Sequence, residues 1–162
     1  MQLKKNKTAE PLNDIRLPAE TEWEYAAHAG NDSATYPWNG RLMRNAKGAY
    51  LANFYEIKKD STGKTYNDLI ADGAFHTAPR NSYYPNNWGL YNMAGNVSEM
   101  VDVMKPDMNG KYVVTGIAAK GGNWFSEAKN LRIQSENEYE GVTRPTPQIG
   151  FRLVMTYQEL PR

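Results

Sequence analysis

The stretch Asn86–Met100, "NNWGLYNMAGNVSEM", fits neither regular periodicity. Its four asparagines and two glycines leave no apolar stripe of period 3.6 and no alternation of period 2. Asn and Gly are residues of turns and of left-handed backbone, so the segment predicts a shaped loop. Only its end changes character. "NVSEMVDVM" predicts a short second helix, with Asn96 as N-cap and Glu99 at the third helical position, a variant of the capping box.

Upstream, "RLPAETEWEYAAHAG" is the strongest helical signal in the chain. Pro18 suits a helix start. Glu20, Glu22 and Glu24 favour the positive N-terminal end. Trp23, Ala26 and Ala27 share one face. Gly30 is the expected stop, and Ala19 stands where Ser, Thr or Asp would cap better. Between Gly30 and Asn86 the chain carries Gly, Pro, Asn and Asp every few residues, which predicts irregular, turn-rich structure. Downstream, "KYVVTGIAAKGGNWF" and "IGFRLVMTY" predict strands. The expected architecture is a loop-rich α+β domain with small antiparallel sheets and few short helices, its loops pinned by 11 Tyr and 4 Trp.

The 162 residues fit one domain. A chain of this size buries roughly two-thirds of its unfolded surface, enough for a core without disulfides or zinc. Its 19 Lys and Arg against 18 Asp and Glu give no basic stripe for nucleic acid. The chain has no cysteine, which removes thiolate ligands, Cys nucleophiles and thiol redox chemistry together. No apolar run is long enough to span a membrane. The N-terminal "MQLKKNKTAEPLNDIRL" is not a signal peptide as written, since no apolar run follows its basic start.

Six motifs in order, "RLPAETEWEYAAHAG", "YPWNG", "LANF", "NNWGLYNMAGNVSEM", "KGGNW" and "IGFRLV", resemble the C-terminal half of the formylglycine-generating enzyme (sulfatase-modifying factor) domain, a C-type-lectin-like fold. "RNAKGAYLANF", "NSYYPNNWGLYNMAGNVSE" and "IGFRLVM" are most similar to the lipoproteins of gliding motility and type IX secretion within that family. The resemblance implies a polar tail over 1–13, a partial domain over 14–157 and a C-terminal tail over 158–162.

The resemblance also implies structural Ca²⁺. One site would use the Asn92 side chain, the carbonyls of Gly95 and Val97, and the Glu99 carboxylate. A second would use Asn53, the Phe54 carbonyl, Asp72 and the carbonyl of Ala74 or Phe75. Such oxygen sets suit a hard cation. The competing reading is that Asn96 and Glu99 only cap a helix, and that Gly95 only permits a positive φ.

The family's oxidase activity needs two copper-binding cysteines between the "GG" and "GFR" motifs. Here the resemblance puts Ser126 and Leu131 at those positions. Leucine cannot ligate copper and serine is a poor ligand for Cu(I), so no copper site and no enzyme activity are expected. His28 and His76 are expected to be structural or solvated, and Ser98 and Ser126 have no evident base.

The reading that results is a non-catalytic, partner-binding module of a bacterial cell-envelope assembly, in the periplasm or attached to the outer membrane. Its expected contact residues are Phe125, Arg132, Tyr139 and Arg144, with Trp124 read as core. The alternative is a lectin-like domain that recognises carbohydrate or a surface receptor. The "GFRLVMTY" strand is expected to leave an open sheet edge, covered by a protein partner or a second copy of the chain.

Overall fold

The computed structural model describes residues 14–38, 40–68 and 71–156. The tails expected at 1–13 and 158–162 lie outside the described residues.

The first helix, α1 (Glu20–His28), follows a two-residue strand, β1 (Ile15–Arg16). Ala19 has no side-chain acceptor, so only half of a capping box forms: the Glu22 carboxylate accepts the Ala19 N–H at 2.8 Å. The helix ends at Ala29, itself in the left-handed region (φ 47°), one residue before the expected Gly30. Trp23 and Ala27 are buried on its inner face.

The helix expected at Asn96–Met104 is instead a strand, β4 (Ser98–Pro106). Two causes are visible. Asn96 has φ 71°, whereas an N-cap needs extended backbone. The run from Ser98 also pairs antiparallel with β5 (Tyr112–Lys120), from Glu99↔Lys120 to Pro106↔Tyr112, with a register shift at Val103/Met104. This ladder overrides a marginal helical pattern.

The "IGFRLVMTY" strand is divided. Strand β6 (Ile149–Gly150) pairs parallel with β4, and β7 (Val154–Met155) pairs antiparallel with β1. The expected open edge is therefore partly closed within the chain, and one of the small sheets is mixed rather than antiparallel. The irregular region contains an unexpected hairpin, β2 (Glu56–Lys59) with β3 (Thr65–Asp68), closed by a turn in which Asp60 Oδ1 accepts the N–H groups of Thr62 and Lys64.

Two buried clusters form the core. Trp23, Ala27, Met93, Val101, Ala118 and Ile133 join α1 to the β4–β5 sheet. Tyr36, Ala52, Phe54, Ala94 and Leu131 lie under the loops. The "YNMAGN" loop threads between them, with Met93 in one and Ala94 in the other. Gly95 (φ 75°) is required there, because a Cβ would sit 2.3 Å from the Asn53 carbonyl oxygen.

Candidate functional site

The loop 51–54 and the loop 92–96 meet through backbone: Asn96 N–H donates to the Asn53 carbonyl at 2.8 Å. Their asparagines then hold a third segment. Asn53 Nδ2 donates to the His76 carbonyl (2.7 Å), Asn96 Nδ2 to that of Ala78 (3.2 Å) and Asn92 Nδ2 to that of Arg80 (2.9 Å). Three asparagines thus pin segment 76–80 by alternate carbonyls, and Asn96 Oδ1 also accepts the Ala78 N–H at 2.7 Å.

Two of these asparagines keep an unpaired oxygen. Among the described residues, Asn53 Oδ1 and Asn92 Oδ1 are the buried side-chain polar atoms without a hydrogen-bond partner. Leaving a buried acceptor unmade costs about 1–3 kcal/mol, so such atoms call for an explanation. Each belongs to one of the two expected cation sets, and a hard cation takes amide oxygens.

The rest of those sets is mixed. Asp72 is brought against Phe54 and Ala74, accepting their N–H groups at 2.7 and 3.1 Å, and burial raises its pKa. The Glu99 carboxylate faces elsewhere, taking Trp23 Nε1 at 2.7 Å and Arg152 Nε and Nη2 at 2.5 and 2.6 Å. Gly95 donates its N–H to the Gly121 carbonyl, and Val97 is half-buried. No cluster of three His, Cys, Asp or Glu side chains that could hold a metal exists among the described residues. A cation here would therefore depend on amide and carbonyl oxygens.

The interval after "GG" forms a separate polar network. Ser126 Oγ donates to Glu138 Oε2 at 2.6 Å and accepts the Asn123 N–H (2.9 Å) and Nδ2 (2.8 Å). Asn123 Nδ2 also reaches Tyr139 Oη (2.7 Å) and Ser98 Oγ (3.2 Å). Asn123, Ser126 and Ser98 are buried, and burial raises the Tyr139 pKa. The Glu138 carboxylate thus stands within hydrogen-bond reach of Ser126 as a proton acceptor, where the sequence offered no evident base. Leu131 is fully buried in the second core cluster, its Cδ1 2.8 Å from where a Gly122 Cβ would stand.

Phe125 and Tyr139 line one cleft of about 240 Å³ over this network, with Gln148 and Glu138. Phe125 is 54% exposed and belongs to a row of rings: Tyr55, Phe125, Trp124, His76 and Phe75, with successive centroids 5.0, 5.6, 4.8 and 4.5 Å apart. Trp124 is half-buried rather than core. Arg132 and Arg144 are exposed and do not line the cleft. His28 Nδ1 lies 3.1 Å from the Asn31 carbonyl, a local contact at the helix end. Sequence reading missed Asn123 and Glu138, whose roles depend on contacts with Ser126 across loops. It also missed the asparagine clamp, although the clustering of asparagines in 86–96 was its visible sign.

The chain is 43% identical over 86 residues to a formylglycine-generating enzyme of Thermomonospora curvata, a match covering 52% of this chain and 25% of that protein. It is 36% identical over 85 residues to the "Inactive C-alpha-formylglycine-generating enzyme 2" of Mus musculus, covering 52% of this chain and 24% of that one. Among solved structures it resembles Treponema denticola variable protein 1, with a TM-score of 0.58 and 26% identity, over 87% of this chain and 47% of the other. The chain thus spans half or less of each of these relatives. The sulfatase-modifying factor enzyme 1-like domain family matches residues 5–157, and the chain belongs to that family.

Proposed function

We propose that this chain is a non-catalytic member of the family, a structural and partner-binding module of a bacterial cell-envelope assembly of the gliding-motility or type IX secretion kind. The observation that carries this reading is the fate of the two positions the resemblance assigns to copper. Ser126 is tied into a closed hydrogen-bond network and Leu131 is buried in apolar core. Thiolate is what selects Cu(I), and neither side chain supplies sulfur. That relatives include one named inactive supports the same direction.

The partner surface in this reading is the cleft under Phe125, with an exposed aromatic at its rim and buried polar groups in its floor. Aromatic anchors of this kind carry most of the energy at interfaces. The unpaired oxygens of Asn53 and Asn92 support a structural Ca²⁺ that would stiffen the loops behind that surface. Bound Ca²⁺ would supply positive charge to those oxygens; the asparagine N–H groups meanwhile continue to hold segment 76–80.

Titration of Cu(I) against a colorimetric chelator tests the reading. The chain is expected to withdraw no copper, while the Ser126→Cys/Leu131→Cys double variant withdraws one equivalent. Stoichiometric, tight copper uptake by the unaltered chain would overturn it.

A further inference from the structure

A second cleft, of about 750 Å³, opens between segments 44–50, 71–73 and 81–91, and shares no lining residue with the Phe125 cleft. Tyr50, Tyr83, Tyr84 and Tyr91 line it, together with Pro85 and two alanines among the described residues. Such a wall offers several flat rings.

Its charges are already committed. Arg44 sits 3.9 Å over the Tyr50 ring and 3.2 Å from Glu56. Asp72 spends both carboxylate oxygens on the N–H groups of Phe54 and Ala74. Tyr83 Oη donates to the Asp72 carbonyl, and Tyr50 Oη is bound to Glu56. Further groups with no partner among the described residues are neutral: the hydroxyls of Tyr84, Tyr91 and Ser82 and the amide of Asn81. Tyr84 and Tyr91 are 61% and 40% exposed. The cleft therefore presents rings and spare donors.

We propose that this cleft binds a proline-rich segment of a partner protein in the polyproline II conformation. Such a segment makes no internal hydrogen bonds, so its carbonyls point outward as acceptors. Proline has no N–H, so the ligand needs donors from its site and offers none in return. Pyrrolidine rings pack on tyrosine faces, and aromatic-lined grooves are a recurring receptor for this conformation. A segment already extended before binding also loses little entropy on docking.

Fluorescence anisotropy of labelled decaproline with the full chain tests this, against a Gly-Ser peptide of equal length. Decaproline is expected to saturate at least about tenfold more tightly than Gly-Ser, and Tyr84→Ala and Tyr91→Ala each to weaken it about tenfold. Tyr84→Phe, which keeps the ring and loses the donor, weakens it by less. Both tyrosines are exposed, and unchanged circular dichroism of the variants shows that loss of binding is not loss of fold. Equal affinity for the two peptides, or decaproline binding indifferent to both alanine variants, overturns the proposal. So does saturable binding of maltoheptaose in place of decaproline, which would assign the cleft to a sugar. The copper titration does not read this cleft, so either inference can fail alone.

Discussion

Trp23 Nε1 donates to Glu99 Oε2 at 2.7 Å while Arg152 clasps the same carboxylate with Nε and Nη2. One buried acid thereby ties α1, β4 and the segment after β6 together. Breaking a buried pair by removing one partner leaves the other charge uncompensated, at a cost of about 3–5 kcal/mol. Glu99→Ala is expected to lose about 3 kcal/mol in urea unfolding, and Trp23→Phe, which removes the donor and leaves a smaller ring in the core, to lose stability as well. Equal stability of Glu99→Ala and the parent would show that the three elements are held by packing alone.

The close approach of Gly95 to Asn53 predicts a contrast between two glycines. Both Gly95 and Gly48 have positive φ, but a Cβ at Gly48 meets nothing within 4 Å. Gly48→Ala should cost only backbone strain, about 1 kcal/mol. Gly95→Ala adds a clash with backbone and should cost several-fold more, or prevent folding. Thermal melts of the two variants side by side make the comparison. Similar melting temperatures would mean that the loops 51–54 and 92–96 separate freely.

Acid should weaken the junction of β1 with α1. Glu22 takes Arg16 Nη1 and Nη2 at 2.5 and 2.7 Å, and that hydrogen-bonded guanidinium holds its pKa below the usual 4.5. A carboxylate with a depressed folded pKa stabilises the fold above its unfolded pKa, and that contribution is lost as pH falls through the folded value. Relative to the parent, Glu22→Gln should therefore be less stable at neutral pH, with the difference shrinking as pH falls below 4.5 and vanishing below the folded-state pKa. A difference that persists at low pH would assign the effect to the cap rather than the charge.

Cation binding has its own readout. If Ca²⁺ occupies the unpaired oxygens, millimolar Ca²⁺ should raise the melting temperature, by about 2.7 kcal/mol of stability at a hundredfold excess over Kd. Asn53→Ala should reduce that gain and speed amide exchange across 76–80. No shift with Ca²⁺, and none lost in Asn53→Ala, would leave the two asparagines as clamps only.

What the sequence disclosed depended on how local the cause was. The α1 helix was legible because its glutamates, its apolar face and its flanking Pro18 and Gly30 act within one segment. The β4 strand was not, because Ser98–Pro106 takes its conformation from β5, and Asn96 adopts a left-handed backbone that its identity allows but does not demand. The β2–β3 hairpin was hidden among the lysines of its first strand and its turn, Lys58, Lys59 and Lys64. At the site, nothing in the sequence signalled what surrounds Ser126 and Leu131. Glu138 reaches Ser126 over twelve residues of irregular chain, and Asn53 reaches Asn96 over forty-three, contacts that no periodicity announces. The open edge expected after Ile149 was partly closed by β1, a two-residue strand too short to signal itself.

The central claim is the absence of the family's oxidation chemistry from this chain. The direct measurement is mass spectrometry of a cysteine-bearing peptide incubated with the chain, Cu(I) and oxygen, with hydroxylamine trapping any aldehyde. The account predicts that no trapped aldehyde forms above the protein-free control. Aldehyde that accumulates in proportion to the amount of chain would contradict it.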